Sequence, residues 1–312
     1  MSHVTIIMSN KLVCRNYVRT NGPINNQFVK CCLEGKVDDM LKEIRKKRGN
    51  HNTNSSVIDG KVGDEPIANH FSNIYEELFS SVKSDNEMND FLKKVNTEIN
   101  DEELLQVDKV SESLLKEAID HLRKGKSDVE FDWKSEAFIV GVDSLASPLA
   151  FLFKTFLIHG HISKFLLLCS LVPIIKDKLG DKTSSNNYRA IAISSLIMKL
   201  FDWILLILFG KELAPSYYQF GFMRKCSTTM CSWVVTETIN YFTNRKTPVF
   251  CVLLDLTKAF DMVKFSTLFK KLYDRIPKIF LRLLMFSYMN QQCLARWNLS
   301  KSKLFSIHNG VR

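Results

Sequence analysis

The sequence predicts a mixed α+β chain, and three observations carry that reading. The first half holds amphipathic stretches at helical spacing: over 66–82, Ile67, Phe71, Ile74, Tyr75, Leu78 and Phe79 share one face. The second half holds apolar runs rich in β-branched and aromatic residues, of which 247–256 is the clearest strand. Hydrophobic residues make up 46% of the 312 and charged residues 24%, ordinary values for a globular protein with a sizeable core.

The first forty residues show no clear period. A helix is expected over 38–48, ending in Arg45-Lys46-Lys47-Arg48. That basic run reads as a solvated helix end, with a nuclear-localisation or RNA-contact patch as the alternative. Residues 51–56 form a polar linker. A second amphipathic helix over 111–124 carries Leu115, Ala118, Ile119 and Leu122 and stops at Gly125. Ser147-Pro148 is expected to open a third, with serine as N-cap and proline at the first helical position. That helix runs through Phe151, Phe153 and Leu157 to Gly160.

Residues 165–175 are nearly all apolar and fit a buried strand or a short helix–strand pair. A polar loop (176–187), a returning strand (188–193) and a helix (197–209) follow. The strand over 247–256 lacks alternation, so it is expected to be covered on both faces. A helix through Leu268, Phe269 and Leu272 comes next. Three divisions result: an N-terminal extension and linker (1–56), a helical region (57–165) and a third region (166–312).

The net charge of +10 points to an anionic partner, most commonly nucleic acid, although charge alone equally fits an ordinary basic protein. Eight cysteines contain no CxxC pair, so reduced and mostly buried thiols are expected. The opening Met1-Ser-His-Val-Thr-Ile-Ile-Met is too short an apolar stretch for a secretory leader, and an intracellular place, nucleus or cytoplasm, is expected. Residues 191–209 are long enough to suggest a membrane span, but Lys199 and Asp202 near its middle make a buried helix the better reading, with no membrane partner. His159-Gly-His161, Cys226-x4-Cys231 and Ser227 lack the partners that metal or nucleophile chemistry needs and are read as structural.

Asp255 ends an apolar strand. A carboxylate there is costly to bury unless it binds a cation or is paired. The common alternative is a strand-end aspartate that caps the next turn. Its neighbours shift the balance. Asp255-Leu-Thr-Lys-Ala-Phe-Asp261-Met-Val263 resembles motif A of the non-LTR (LINE-type) retrotransposon reverse transcriptases, D-x-x-K-A-F-D-x-V, at every fixed position. Leu171-Val-Pro-Ile-Ile-Lys176 with Asn187-Tyr-Arg189-Ala-Ile-Ala-Ile193 is similar to the family's fingers hairpin, L-x-P-I-x-K and N-Y-R-P-I, with Ala190 in place of proline. Gln219-Phe-Gly-Phe222-Met-Arg224-Lys225-Cys-Ser227-Thr228 resembles Q-F-G-F-R-x-x-x-S-T, and Gly310-Val311-Arg312 resembles the opening of motif B, G-V-R-Q-G. The resemblance covers about 110–312 and is tightest from Leu171 on. Asp59-Gly-Lys-Val-Gly-Asp64 is similar to the family's linker ahead of the polymerase. Ser127-Asp-Val-Glu-Phe-Asp132 departs from G-K-S-x-G-x-D-G by lacking both later glycines.

The resemblance implies the fingers and an incomplete palm of a right-hand polymerase over 166–312, preceded by a mainly helical extension. It implies transfer of a nucleotide from a dNTP to a primer 3′-hydroxyl, with an RNA template and a DNA primer as partners. Asp255 and the Leu256 carbonyl would then hold Mg²⁺, two ions being expected in the complete enzyme, about 3.5–4 Å apart. Lys176 and Arg189 would grip the triphosphate, with Lys178 and Lys182 adding positive potential. Phe260 would lie beneath the sugar as a steric gate against a 2′-hydroxyl. Phe222, Arg224, Lys225, Gly310 and Arg312 would contact template or primer. Motif C, an aromatic-x-Asp-Asp hairpin with two further carboxylates, has no counterpart in the 312 residues. On their own they are therefore expected to bind Mg²⁺ weakly or not at all and not to polymerise. The alternative is a non-catalytic nucleic-acid-binding remnant or regulatory fragment that uses the same surfaces.

Overall fold

The computed structural model describes residues 5–7, 55–80, 86–128, 133–216, 218–223 and 225–311. It is α+β, with 51% helix and 15% strand. Two compact units divide the chain: Met1–Asn54 with Tyr217–Leu256, and Ser55–Ser216 with Thr257–Arg312. In chain order the described strands and helices begin with β1 (Thr5–Ile7), the hairpin of β2 (Val57–Ile58) and β3 (Lys61–Val62), α1 (Asp64–Phe79), α2 (Asn86–Thr97) and α3 (Asp101–Leu105). Then come α4 (Glu112–Asp120), α5 (Ser135–Val140), α6 (Val142–His159), β4 (Leu168–Ile175), β5 (Tyr188–Ser194), α7 (Leu196–Phe209) and α8 (Thr228–Thr243). The last are β6 (Cys251–Leu253), α9 (Phe265–Leu272), α10 (Lys278–Met289), β7 (Gln292–Trp297), β8 (Ser300–Lys301) and β9 (Phe305–Ser306).

In the second unit β4 and β5 pair antiparallel from Cys169↔Ser194 to Ile175↔Tyr188. β4 also pairs in parallel with β7, which in turn pairs antiparallel with β8 and β9. The face of α1 predicted from its period covers this sheet: Ile67, Phe71 and Tyr75 are buried with Leu171, Tyr188 and Trp297. The Phe71 ring centroid lies 5.3 Å from both Trp297 and Tyr188, so the layer is aromatic at its centre. A second core is helical. Leu115 and Ile119 of α4, Phe153 and Leu157 of α6, Phe201 and Ile204 of α7 and Phe280 of α10 belong to it. Phe153 stacks on Phe201 with centroids 6.1 Å apart.

The start of α7 is tied down by two side chains. The Ser195 hydroxyl accepts from the Met198 N–H at 3.3 Å and donates to the Leu166 carbonyl at 2.7 Å. Buried Asp128 accepts from the Leu196 N–H at 3.0 Å. Ser195→Ala should lower stability by about 1–2 kcal/mol, a normal N-cap loss, read from the midpoint of urea unfolding. An unchanged midpoint would mean that Asp128 alone satisfies the helix end.

Three expectations need correction. The third helix does not open at Ser147-Pro148: α6 starts at Val142 and carries Pro148 inside it. Packing overrides the local signal, because Ala146 and Leu149 are needed in the helical core, and Pro148 forfeits one backbone bond there. The strand over 247–256 shrinks to Cys251–Leu253 and is exposed on both faces. Its only partner among the described residues is β1, paired in parallel over three positions, so its β-rich composition is not matched by a covering layer. The thiols are free but not mostly buried: of those described, Cys169 and Cys293 are buried, Cys226 and Cys231 half-buried and Cys251 exposed. The helix expected over 38–48 and its basic run lie outside the described residues. Among the described residues no helix is long and apolar enough to cross a membrane, and 191–209 divides into the end of β5 and the buried α7.

Candidate nucleic-acid interface

The β4–β5 hairpin presents its two cations on one face. Arg189 pairs with Ile174, and the Lys176 N–H donates to the Asn187 carbonyl at 2.7 Å, so the ladder continues one step past the strand. Alternation then places Lys176 and Arg189 together, both exposed, while Tyr188 turns inward beneath α1. The loop between the strands is bound internally. Lys176 Nζ donates to the Asn186 carbonyl at 2.9 Å, and the Asn187 amide reaches the Asp177 and Asp181 carbonyls at 2.8 and 3.0 Å.

The loop is also held from outside. Asp59 and Gly60, at φ 47° and 74°, turn the β2–β3 hairpin against it. The Asp59 N–H donates to the Thr183 carbonyl at 2.8 Å, and its carboxylate accepts from the Ser185 N–H at 3.1 Å and meets His70 Nε2 at 2.8 Å. Hydrogen bonding from Ser185, then from His70, holds the Asp59 carboxyl below its usual range. A carboxyl lowered in the folded state stabilises above its unfolded value, and that contribution is lost as pH falls through the folded value. The protection factor of the Ser185 amide should therefore drop below the ordinary carboxylate range, and Asp59→Ala should show low protection at every pH. Protection that stays flat with pH in the unsubstituted chain would sink this account.

The 260–263 turn is fastened to residues 309–311. The Val311 N–H donates to the Phe260 carbonyl at 3.0 Å and the Gly310 N–H to the Val263 carbonyl at 2.8 Å. Asn309, wholly buried, donates through its amide to the Asp261 carbonyl at 2.7 Å and the Leu78 carbonyl at 3.1 Å. The N–H groups of His308 and Asn309 both donate to the Phe79 carbonyl, at 2.8 and 3.1 Å. Gly310 is required here: φ is 90°, and a Cβ would come 2.8 Å from the Phe79 ring and 3.0 Å from the Asp261 carbonyl. Burial raises the Asp261 carboxyl, while Lys258 and Lys176 pull it back down. Phe260, the residue before Asp261, is 56% exposed. Burial and then the Asp261 carboxylate push the Tyr75 phenol upward, and its buried hydroxyl has no hydrogen-bond partner among the described residues.

Asp255 and Leu256 close the first unit just after β6, and both are exposed. In that unit Ser227 caps α8, its hydroxyl accepting from the Met230 N–H at 3.2 Å, which gives the Ser-Thr pair of the motif a structural reason. Phe222 and Lys225 lie in the preceding turn with φ of 59° and 66°, both exposed. Arg224 and Arg312 lie outside the described residues. So does Val37-Asp38-Asp39, an Asp-Asp tripeptide upstream whose preceding residue, Lys36, is not aromatic.

Asp255 and the Leu256 carbonyl are hard oxygen donors of the kind Mg²⁺ takes. Among the described residues no three His, Cys, Asp or Glu side chains converge to hold a metal. Sequence reasoning gave Asn309, Asp59 and Asp128 no positioning role. Asn-Gly at 309–310 is a readable turn signal, but its partners lie 48 and 231 residues away. No protein-family model matches the chain, and no curated protein matches it.

Proposed function

We propose that this chain is the fingers and first palm segment of a non-LTR-type reverse transcriptase, working inside the cell on an RNA template and a DNA primer. The observation that carries the reading is the complete 255–263 motif in the sequence, together with the β4–β5 register that sets Lys176 and Arg189 on one exposed face of the hairpin. In this reading Lys176 and Arg189 bind and orient the triphosphate, and the Phe260 ring excludes a ribose 2′-hydroxyl. Asp255 and the Leu256 carbonyl would hold Mg²⁺, which when bound lowers the pKa of the primer hydroxyl and neutralises phosphate charge. Phe222, Arg224, Lys225, Gly310 and Arg312 position template and primer.

The test starts with binding. Titration of a labelled RNA should show affinity with little sequence preference, and the log–log salt slope should steepen by about 0.7–0.9 for each phosphate neutralised. A flat salt response, or no binding at low salt, would remove nucleic acid from the proposal. In a longer chain that supplies motif C, Lys176→Ala with Arg189→Ala should raise the KM for dNTP at least tenfold, about 1.4 kcal/mol, and leave RNA binding within twofold. Equal loss of both would assign the pair a general electrostatic role, as in the non-catalytic alternative.

A further inference from the structure

A cavity of about 560 Å³ lies at the C-terminal end of α6, lined among others by Phe156, His159, His161, Ser163, Lys164 and Phe165. None of these residues belongs to the motif segments. The cavity sits beside the helical core, into which Phe156 packs, whereas Lys176 and Arg189 stand on the sheet hairpin. Its framework is built. Gly160 ends α6 in the left-handed conformation, and the Arg282 guanidinium lies so close that a Cβ on Gly160 would come 2.6 Å from Nε. Arg282 Nη2 donates to the Leu157 carbonyl and, at 3.0 Å, to the Ile158 carbonyl. The His161 ring packs 4.8 Å from Phe286.

Charge and shape narrow what fits. Among the described residues no acidic side chain lines the cavity. Lys164 lines it and is exposed, and the half-buried Arg282 guanidinium next to Gly160, already donating to two backbone carbonyls, meets no carboxylate among the described residues. Phe165 leaves 69% of its surface exposed and lines the cavity together with His159 and His161. A lysine with no acidic residue beside it in the described lining asks for an anion, and rings around an open slot ask for a planar group. Both demands are met by a nucleotide, and rings interleaved with cations are how single strands are held without sequence readout.

We infer that this cavity takes one nucleotide of a single-stranded nucleic acid, its base against Phe165 and Phe156 and its phosphate toward Lys164, as a contact additional to the hairpin. The inference rests on the reading of the chain as a nucleic-acid binder. The experiment is fluorescence anisotropy of a labelled single-stranded RNA of mixed sequence with the 312-residue chain. Phe165→Ala and Lys164→Ala should each weaken binding, the former about tenfold as for loss of one stacked base. Phe165→Trp, which keeps a ring, should retain the affinity. Phe165 is exposed, so the thermal melts of all three should coincide with that of the unsubstituted chain.

Binding that ignores Phe165 and Lys164 but falls on substitution of Lys176 and Arg189 would overturn this inference and leave the proposed function standing. No binding by the unsubstituted chain would overturn both. Complete displacement of the RNA by free AMP would assign the pocket to a mononucleotide and overturn the single-strand part. A dimer in sedimentation that Phe165→Ala abolishes without changing RNA affinity would give the surface to a second copy instead.

Discussion

Asn309→Ala is expected to destabilise the second unit by about 2–4 kcal/mol and to loosen the 260–263 turn first. The side chain is fully buried, and its amide joins three stretches of chain: its own, the Leu78 carbonyl at the end of α1 and the Asp261 carbonyl in the 260–263 turn. Alanine removes both bonds and leaves two carbonyls without these donors. The cost of stranding a buried acceptor exceeds the net worth of the bond itself. Asn309→Asp is the sharper control, since it keeps the volume but aims carboxylate oxygens at carbonyl oxygens. It should be at least as damaging at neutral pH. Urea unfolding gives the magnitude, and hydrogen exchange gives the order of opening. The Gly310 and Val311 amides, which donate to Val263 and Phe260, should lose protection before the β4–β5 ladder does. If the two segments lose protection together, the turn is not a separable element and Asn309 supports the whole unit.

Asn309 also shows where a sequence stops being legible. The apolar face of α1 could be read because Ile67, Phe71 and Tyr75 recur at helical spacing and the packing agrees. The β4–β5 hairpin could be read because two apolar runs flank a polar loop, and Lys176 and Arg189 fall on its open face. Local signals failed where tertiary demands outweighed them. Ser147-Pro148 has the chemistry of a helix start, yet the core takes Ala146 and extends the helix backwards. The 247–256 run has the composition of a covered strand, but composition cannot supply a cover, and among the described residues three of its positions pair. Partners far apart in the chain, such as Asp59 with Ser185 or Asn309 with Leu78, left no periodic trace. The candidate site was legible as motif residues; the contacts that position those residues were not.

The largest expected effect is on catalysis: the 312 residues alone should show no template-directed incorporation with Mg²⁺ or Mn²⁺, and in a longer chain with motif C Asp255→Ala should abolish it. Asp255 is one carboxylate where the two-metal mechanism expects about three. Mg²⁺ gives up water reluctantly and is usually held by one or two carboxylates plus substrate phosphates. No aromatic-x-Asp-Asp exists in the sequence to add the others. Several kcal/mol of charge stabilisation are at stake, so removing Asp255 from a completed site should cost on the order of 10³-fold or more in rate. The strand that leads to Asp255 adds a physical symptom. Phe250, Val252, Leu253 and Leu254 are 74%, 49%, 61% and 52% exposed, an apolar run of the kind that seeks a partner strand. Light scattering should therefore rise with concentration for the 312-residue chain and fall once further palm strands are supplied. Primer extension on a defined RNA template decides the matter: incorporation by the 312 residues that disappears in Asp255→Ala would mean the site is complete without motif C and would overturn this prediction.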